Sequence, residues 1–312
     1  MEPAAVERFE ANRDRLASLA YRLLGSATDA EDTVQDAFLR WHGADREHID
    51  VPEAWLTKVV TNLAFDRLRS ARTRRERAVG AWLPEPLLDG DPMLGPADAA
   101  EQRESVTLAV LTLMESLPPV ERAVYVLCEA FRYRHAEIAE ILDITESASQ
   151  QHAHRARRRV ATARVASVVD GAAARRIVAA FIDAAASGRT ERLVALLTDD
   201  ATGVSDGAGQ ADGKLLRYSG PERIAAALRA GLRPTPAKRR LVGGSPSIYA
   251  GVVNGSPAII AALHDRVVGV VVLDVRENRV AVVRGIAAPG RLRRLGEQWR
   301  RREHDDPLVE SW

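Results

Sequence analysis

"RHAEIAEILDITESASQQHAHRARRRV", residues 134–160, decides how the first half of the chain folds. Ile138, Ala139 and Leu142 recur at helical spacing, which predicts a short helix with those three turned inward. "DIT" breaks the pattern and puts Asp143 where a left-handed residue is needed, a conformation Asp tolerates better than most. Thr145 is placed to cap a second helix, and Glu146 to complement its dipole. That second helix is polar and ends in arginines. Such a helix-turn-helix presents its second helix to the major groove. Ser147, Gln150, Gln151 and His154 stand where side chains reach base edges, and Gln pairs well with adenine. Arg155, Arg157, Arg158 and Arg159 would hold phosphates, which adds affinity without sequence information. On these residues alone, a plain helical hairpin with a solvated basic end competes with that reading.

Upstream, three further helices are predicted. "RFEANRDRLASLAYRLLG" places Phe9, Leu16, Leu19, Ala20, Leu23 and Leu24 on one face and stops at Gly25. "SATDAEDTVQDAFLRW" carries Thr28 and Glu31 at capping-box spacing, with Val34, Ala37, Phe38 and Trp41 along one side. After the polar stretch "HGADREHIDV", Pro52 opens a helix at its first turn. There Trp55, Val59, Leu63 and Leu68 turn inward. Lys58, Thr61, Asn62, Asp66, Arg67, Arg69 and Arg72 form a polar and basic stripe opposite, which alone reads as a solvated face. Trp41 and Trp55 suit a core better than a base-stacking platform.

The 312 residues suffice for two or three domains, and 46% hydrophobic with 28% charged residues is ordinary for globular protein. A net charge of +1 restricts any nucleic-acid surface to local patches, and the arginines do cluster. The single cysteine, Cys128, sits in the apolar run "VYVLCEAF" and reads as a packed thiol, so no disulfide framework is expected. With no apolar leader and no run of membrane-spanning length, a cytoplasmic chain without a membrane partner is expected.

"GSATDAEDTVQDAFLRW", "PEAWLTKVVTNLAFDRLRS", "LPPVERAVYVL" and the helix-turn-helix, in that order, resemble region 2 and region 4 of the extracytoplasmic-function (ECF) sigma factors of bacterial RNA polymerase. The likeness spans about residues 6–165. It implies that Asp29, Glu31, Asp32, Gln35, Asp36 and Phe38 dock on the β′ clamp of core polymerase, with the β flap as a second contact. It implies that the loop from about Gly43 to Val51 and the helix from Lys58 to Arg72 open and read the −10 element. Lys58, Thr61, Asn62, Asp66, Arg67 and Arg69 are the candidate contacts there. Ser147, Gln150, Gln151, His154, Arg155, Arg157 and Arg158 would read −35 duplex.

Beyond about residue 170 the pattern changes. Two helical stretches and "SGPERIAAAL" precede four β-branched runs from 241 onward, which argues for a separate α+β domain. The whole is thus expected to be multidomain. Two all-α DNA-binding modules come first: a region 2 helical bundle (6–77) and a region 4 helix-turn-helix (103–168), joined by a linker (78–102). An α+β cone similar to the SnoaL/NTF2-like fold (172–290) and a tail (291–312) follow, the tail read as a solvated helix. Such cones enclose pockets, and some relatives use a carboxylate base; Asp183, Asp199, Asp200, Asp206, Tyr218, His264 and Asp274 are the acid/base candidates. "SDGAGQ" (205–210) resembles the "DGGGK"-type loop of sigma factors with a fused C-terminal domain: Asp206, Gly207 and Gly209 match, while Ala208 and Gln210 depart. "AAPGRL" (287–292) resembles their "NPDKL", with Arg291 supplying the positive charge one place early.

Linker sequence "AWLPEPL" carries a Trp, which a spacer does not need. Trp82, Leu83 and Pro84 are expected to dock on folded surface, near Asp206 of the C-terminal domain. The chain as a whole is expected to act as a sigma factor and not an enzyme, needing no cofactor and no metal. Promoter DNA and polymerase core are its expected partners, and the resemblance leaves room for an anti-sigma factor and a small ligand. An NTF2-like enzyme or ligand sensor fused to a DNA-binding module is the alternative. A simple operator binder would have no use for the region 2 pattern.

Overall fold

A computed structural model describes residues 3–77, 83–95, 106–161, 170–207, 215–233 and 235–312. The chain forms two compact units: Met1–Val79 with Gly90–Arg164, and Gly80–Asp89 with Val165–Trp312. No helix among the described residues is long and apolar enough to cross a membrane.

In its described residues the first unit is helical. It comprises α1 (Pro3–Leu24), α2 (Ala27–Gly43), α3 (Pro52–Arg77), α4 (Leu108–Met114), α5 (Pro119–Glu129), α6 (His135–Leu142) and α7 (Glu146–Val160). The apolar stripe of α1 is buried through Phe9, Leu16, Leu19 and Leu23. Trp41, also buried, donates its indole N–H to the Ala5 carbonyl at 2.9 Å and ties α2 to α1. The cap of α2 is Ser26, whose hydroxyl accepts the Asp29 N–H at 3.1 Å, and not the Thr28–Glu31 pair. The helix begins two residues earlier than that pair requires.

α3 packs against α1 and α2 and also against α5 and α6. Its buried surface is therefore wider than one stripe and takes in Leu56, Thr57, Val60 and Thr61. Residues 91–94 lie on α1. The Ser18 hydroxyl donates to the Met93 carbonyl at 3.0 Å, and the buried Arg22 guanidinium donates to Leu94 at 3.0 Å. Burial lowers the Arg22 pKa to about 10 because leaving water disfavours the charged form.

The second unit contains α8 (Gly171–Ala186), α9 (Thr190–Val194), β1 (Leu197–Ser205), β2 (Leu216–Ser219), α10 (Pro221–Leu232), α11 (Pro236–Val242), β3 (Ser247–Val253), β4 (Ser256–Leu263), β5 (Arg266–Arg276), β6 (Arg279–Ile286) and α12 (Arg293–Arg300). The sheet order is β2-β1-β6-β5-β4-β3, with β1 and β6 parallel and the other neighbours antiparallel. Phe181, Leu193, Ile224, Leu228, Ile259 and Leu273 share its core.

Three features depart from expectation. β1 and β2 exist although only four strands were readable; in "LTDDATGVS" the exposed pair Asp199-Asp200 interrupts the alternation. Residues 236–242 are helical, since Pro236 sits at the N-terminus and Thr235 caps Lys238 N–H. The tail is docked and not solvated. Leu292, Leu295 and Trp299 recur at i, i+3 and i+7 and are buried, and Val309 pairs with Ile248.

Candidate nucleic-acid interface

The helix-turn-helix is built as its residues dictate. The Arg134 N–H donates to the Glu137 carboxylate at 2.7 Å and closes the start of α6. That bond holds the Glu137 carboxyl below its ordinary range. Asp143 takes the left-handed conformation, with φ 55° and ψ 52°, and its N–H returns to Ala139. The Thr145 hydroxyl accepts the Ala148 N–H at 3.1 Å and starts α7. Ile138 and Ile141, not Leu142, are the buried pair of α6; Leu142 is half-buried.

On α7, Ser149, Ala153, Ala156 and Val160 face the core. Ser147, Gln150, Gln151, His154 and Arg158 are exposed, at spacings of three, four and seven that put them on the opposite face. The other arginines turn back toward α5. Arg155 and Arg159 meet the buried carboxylate of Glu121 at 2.8 and 2.7 Å, and Arg157 meets Glu129 at 2.7 Å. Arg155 and Arg157, expected on phosphate, are thus engaged within the protein. Arg157 also reaches the Cys128 sulfur at 3.3 Å. Cys128 is half-buried and not fully packed, and burial raises its thiol pKa.

The acidic face of α2 is open: Asp29, Glu31, Asp32 and Gln35 are exposed. Asp36 is half-buried and pairs with Arg67 at 2.6 Å, so two residues assigned to different partners meet each other. Phe38 packs edge-on against Phe9, with ring centroids 5.0 Å apart. Leu39, 60% exposed, sits four residues after Gln35 on the same face and escaped the sequence reading. Its signal was a large apolar side chain inside an acidic helical stripe.

On α3 the expected stripe divides. Asp66 and Arg69 are exposed, Arg69 lying 4.2 Å over the Phe65 ring; Asn62 is half-buried. Thr61 is fully buried, its hydroxyl without a partner among the described residues, so it cannot be a surface contact here. Lys58 donates to the Glu140 carbonyl of α6 at 3.0 Å. Beside it the Tyr133 hydroxyl lies 2.9 Å from that of Thr57, and Arg15 donates to both, at 3.3 and 2.7 Å. Tyr133 carries this junction and was not singled out from sequence. The Arg72 side chain lies outside the described residues. The loop before α3 is largely open, with Val51 57% exposed.

Trp82, Ala208, Gly209 and Gln210 lie outside the described residues. Leu83, Pro84 and Pro86 are buried in the second unit. Arg291 donates to the Leu83 carbonyl at 2.5 Å. The Leu87 N–H donates to the Asn254 side chain at 2.8 Å, and Asp89 N–H to Val252 at 3.0 Å. The segment therefore adds a short rung to the edge of β3. Asp206 is buried and its carboxylate accepts the N–H groups of Ala287 and Ala288, both at 2.9 Å. It fixes the loop that leads to Arg291.

The acid/base candidates are not gathered. Asp199 pairs with Arg279 at 3.0 Å, Asp200 with Arg276, and the buried Asp274 with Arg284. Asp183 and His264 are exposed; Tyr218 is half-buried. No group of three or more His, Cys, Asp or Glu among the described residues could hold a metal.

Residues 8–74 match the family described as sigma-70 region 2, and residues 107–160 match sigma-70 region 4. The chain is 32% identical over 289 residues to a probable ECF RNA polymerase sigma factor, SigI, of Mycobacterium tuberculosis, covering 91% of this chain and 93% of that one. A crystal structure of the M. tuberculosis extracytoplasmic function sigma factor SigJ superposes with a TM-score of 0.67 at 31% identity, covering 92% of this chain and 98% of that chain. Against the curated ECF RNA polymerase sigma factor SigJ of the same organism, identity is 40% over 221 residues, 70% of each chain. On that likeness, with both regions in order and the α+β unit behind them, this chain belongs to the ECF sigma factors of the sigma-70 family.

Proposed function

We propose that this sigma factor directs promoter-specific initiation through three surfaces. The exposed face of α7, with Ser147, Gln150, Gln151, His154 and Arg158, reads −35 duplex, and it is the observation that carries the reading. Polar side chains aligned on one face of a capped second helix are what direct readout needs. The acidic face of α2, from Asp29 to Gln35 with Leu39, docks on the polymerase clamp, where charge complementarity speeds assembly. Asn62, Asp66, Arg67 and Arg69, with the loop before α3, read the −10 element and help open it.

The contact of Lys58 with α6 closes part of α3 in the first unit. Lys58 is itself exposed, so reading the −10 element with it requires only that its ammonium leave the Glu140 carbonyl or use another of its donors. The α+β unit regulates in cis and is not a catalyst: the buried carboxylates of its described residues, Asp206 and Asp274, are each committed to hydrogen bonds or an ion pair. The chain acts in the cytoplasm, where polymerase is.

The test is promoter-dependent transcription with core polymerase, using the full chain and a chain ending at residue 168. Initiation at a defined promoter by the full chain supports the reading; none at any promoter of the source genome overturns it. Equal behaviour of the two chains removes the regulatory role of the α+β unit.

A further inference from the structure

The second unit holds a half-open cavity of about 1220 Å³, above the roughly 300–1,000 Å³ usual for small-molecule sites. Its walls come from α10, α11, strands β1 to β6, α12 and Trp312. The interior is apolar: Ile224, Leu228, Ile248, Ile259, Val270 and Ile286 line it and are buried. The one carboxylate on its lining among the described residues is Asp265, exposed in the turn between β4 and β5. Among the described residues no buried carboxylate lines it to serve as a base, and of the acid/base candidates only the half-buried Tyr218 stands on its wall.

The charge at one end is mostly positive. Arg233, Lys238, Arg239 and Arg266 line the cavity around α11, against one carboxylate of the described residues, Asp265. Lys238 is committed: its ammonium caps the C-terminal carbonyls of α10, reaching Gly231 at 2.8 Å and Arg233 at 3.0 Å. Arg266 donates to the Val242 carbonyl and holds the end of α11 with one of its donors. The guanidinium groups of Arg233 and Arg239 are exposed and make no ion pair or side-chain hydrogen bond among the described residues. α11 itself buries no residue, and Leu241 is 76% exposed while lining the cavity. An apolar side chain left in water at the mouth of an apolar cavity gains when an apolar body covers it.

We propose that this cavity binds, without turning over, an amphipathic carboxylate. Its apolar body lies against the sheet and its anionic head meets Arg233 and Arg239 beside α11, where bidentate guanidinium–carboxylate pairing is available. The proposal is independent of the sigma-factor role, since it is read by binding and not by transcription.

The test uses the full chain, with dodecanoate as probe and dodecanol as its uncharged counterpart, each displacing the fluorescent dye 8-anilinonaphthalene-1-sulfonate. One saturable site per chain is expected, with dodecanoate at least about tenfold tighter than dodecanol. Arg233→Gln with Arg239→Gln removes that preference and leaves dodecanol binding unchanged within about twofold. Ala261→Phe, on the cavity wall, abolishes binding of both; Ala227→Phe on α10 repeats the test should the first variant fail to fold. Equal affinity of dodecanoate and dodecanol overturns the proposal, as does a preference that survives loss of both arginines. Binding that survives both wall substitutions places the probes on the outer surface and also overturns it.

Discussion

At the scale of the residue, the same side-chain type does different work according to what its neighbours leave it. The arginines of α7 look equivalent in sequence, yet Arg155, Arg157 and Arg159 close on carboxylates of α5, while Arg158 stays on the open face with Gln151. Gln151→Ala in the holoenzyme is expected to relax preference at one −35 position by about 1–3 kcal/mol of discrimination. Arg158→Ala should weaken all promoters alike and flatten the salt dependence. Binding to a panel of singly substituted promoters, at two salt concentrations, separates the two; identical patterns would deny α7 its reading role. Asp200 offers a titration. Its hydrogen bond from Arg276 holds the carboxyl at about 2, against an ordinary 3.8. Because the folded value is depressed, the stabilisation is fully present above the ordinary value and is lost as pH falls through about 2. Carboxyl chemical shifts followed from pH 5 downward should show it, and Arg276→Gln should return the midpoint to the ordinary range.

Among the elements, the decisive contacts lie between helices and strands that are distant in sequence. Tyr133 joins the turn before α6 to Thr57 on α3 and Arg15 on α1. Tyr133→Phe removes the hydroxyl and leaves the ring. It is expected to loosen this junction by about 1 kcal/mol, read as faster amide exchange in α6 with the β-sheet unchanged. Unchanged exchange in α6 would show that the junction rests on apolar packing alone. In the second unit α12 is held by Leu295 and Trp299, the latter edge-on to Tyr249 at 4.9 Å between ring centroids. Trp299→Ala is expected to cost about 3–5 kcal/mol and to lower the melting temperature of this unit.

For the whole molecule, the segment between the two DNA-binding modules is divided between the units. Residues 83–89 complete the edge of β3, whereas residues 91–94 lie on α1. Asn254→Ala removes the side-chain acceptor for Leu87 and is expected to free the segment, seen as protease cleavage near residues 83–89 at a lower enzyme concentration. Much of this protein was legible before folding was considered. The helix-turn-helix, its Thr145 cap, the left-handed Asp143 and the order of regions 2 and 4 depend on local spacing, capping and backbone preference, which neighbouring residues settle among themselves. The polar sequence of β1, the docked tail and the burial of Thr61 were not legible. Each depends on a partner far along the chain: β6 beside β1, Ile248 beside Val309, α5 and α6 across α3. Sequence alone determined which segments carry the polar and acidic faces proposed to meet DNA and polymerase. The tertiary structure alone decided which of their side chains face outward, because burial and ion pairing are settled by what packs opposite and not by the residue itself.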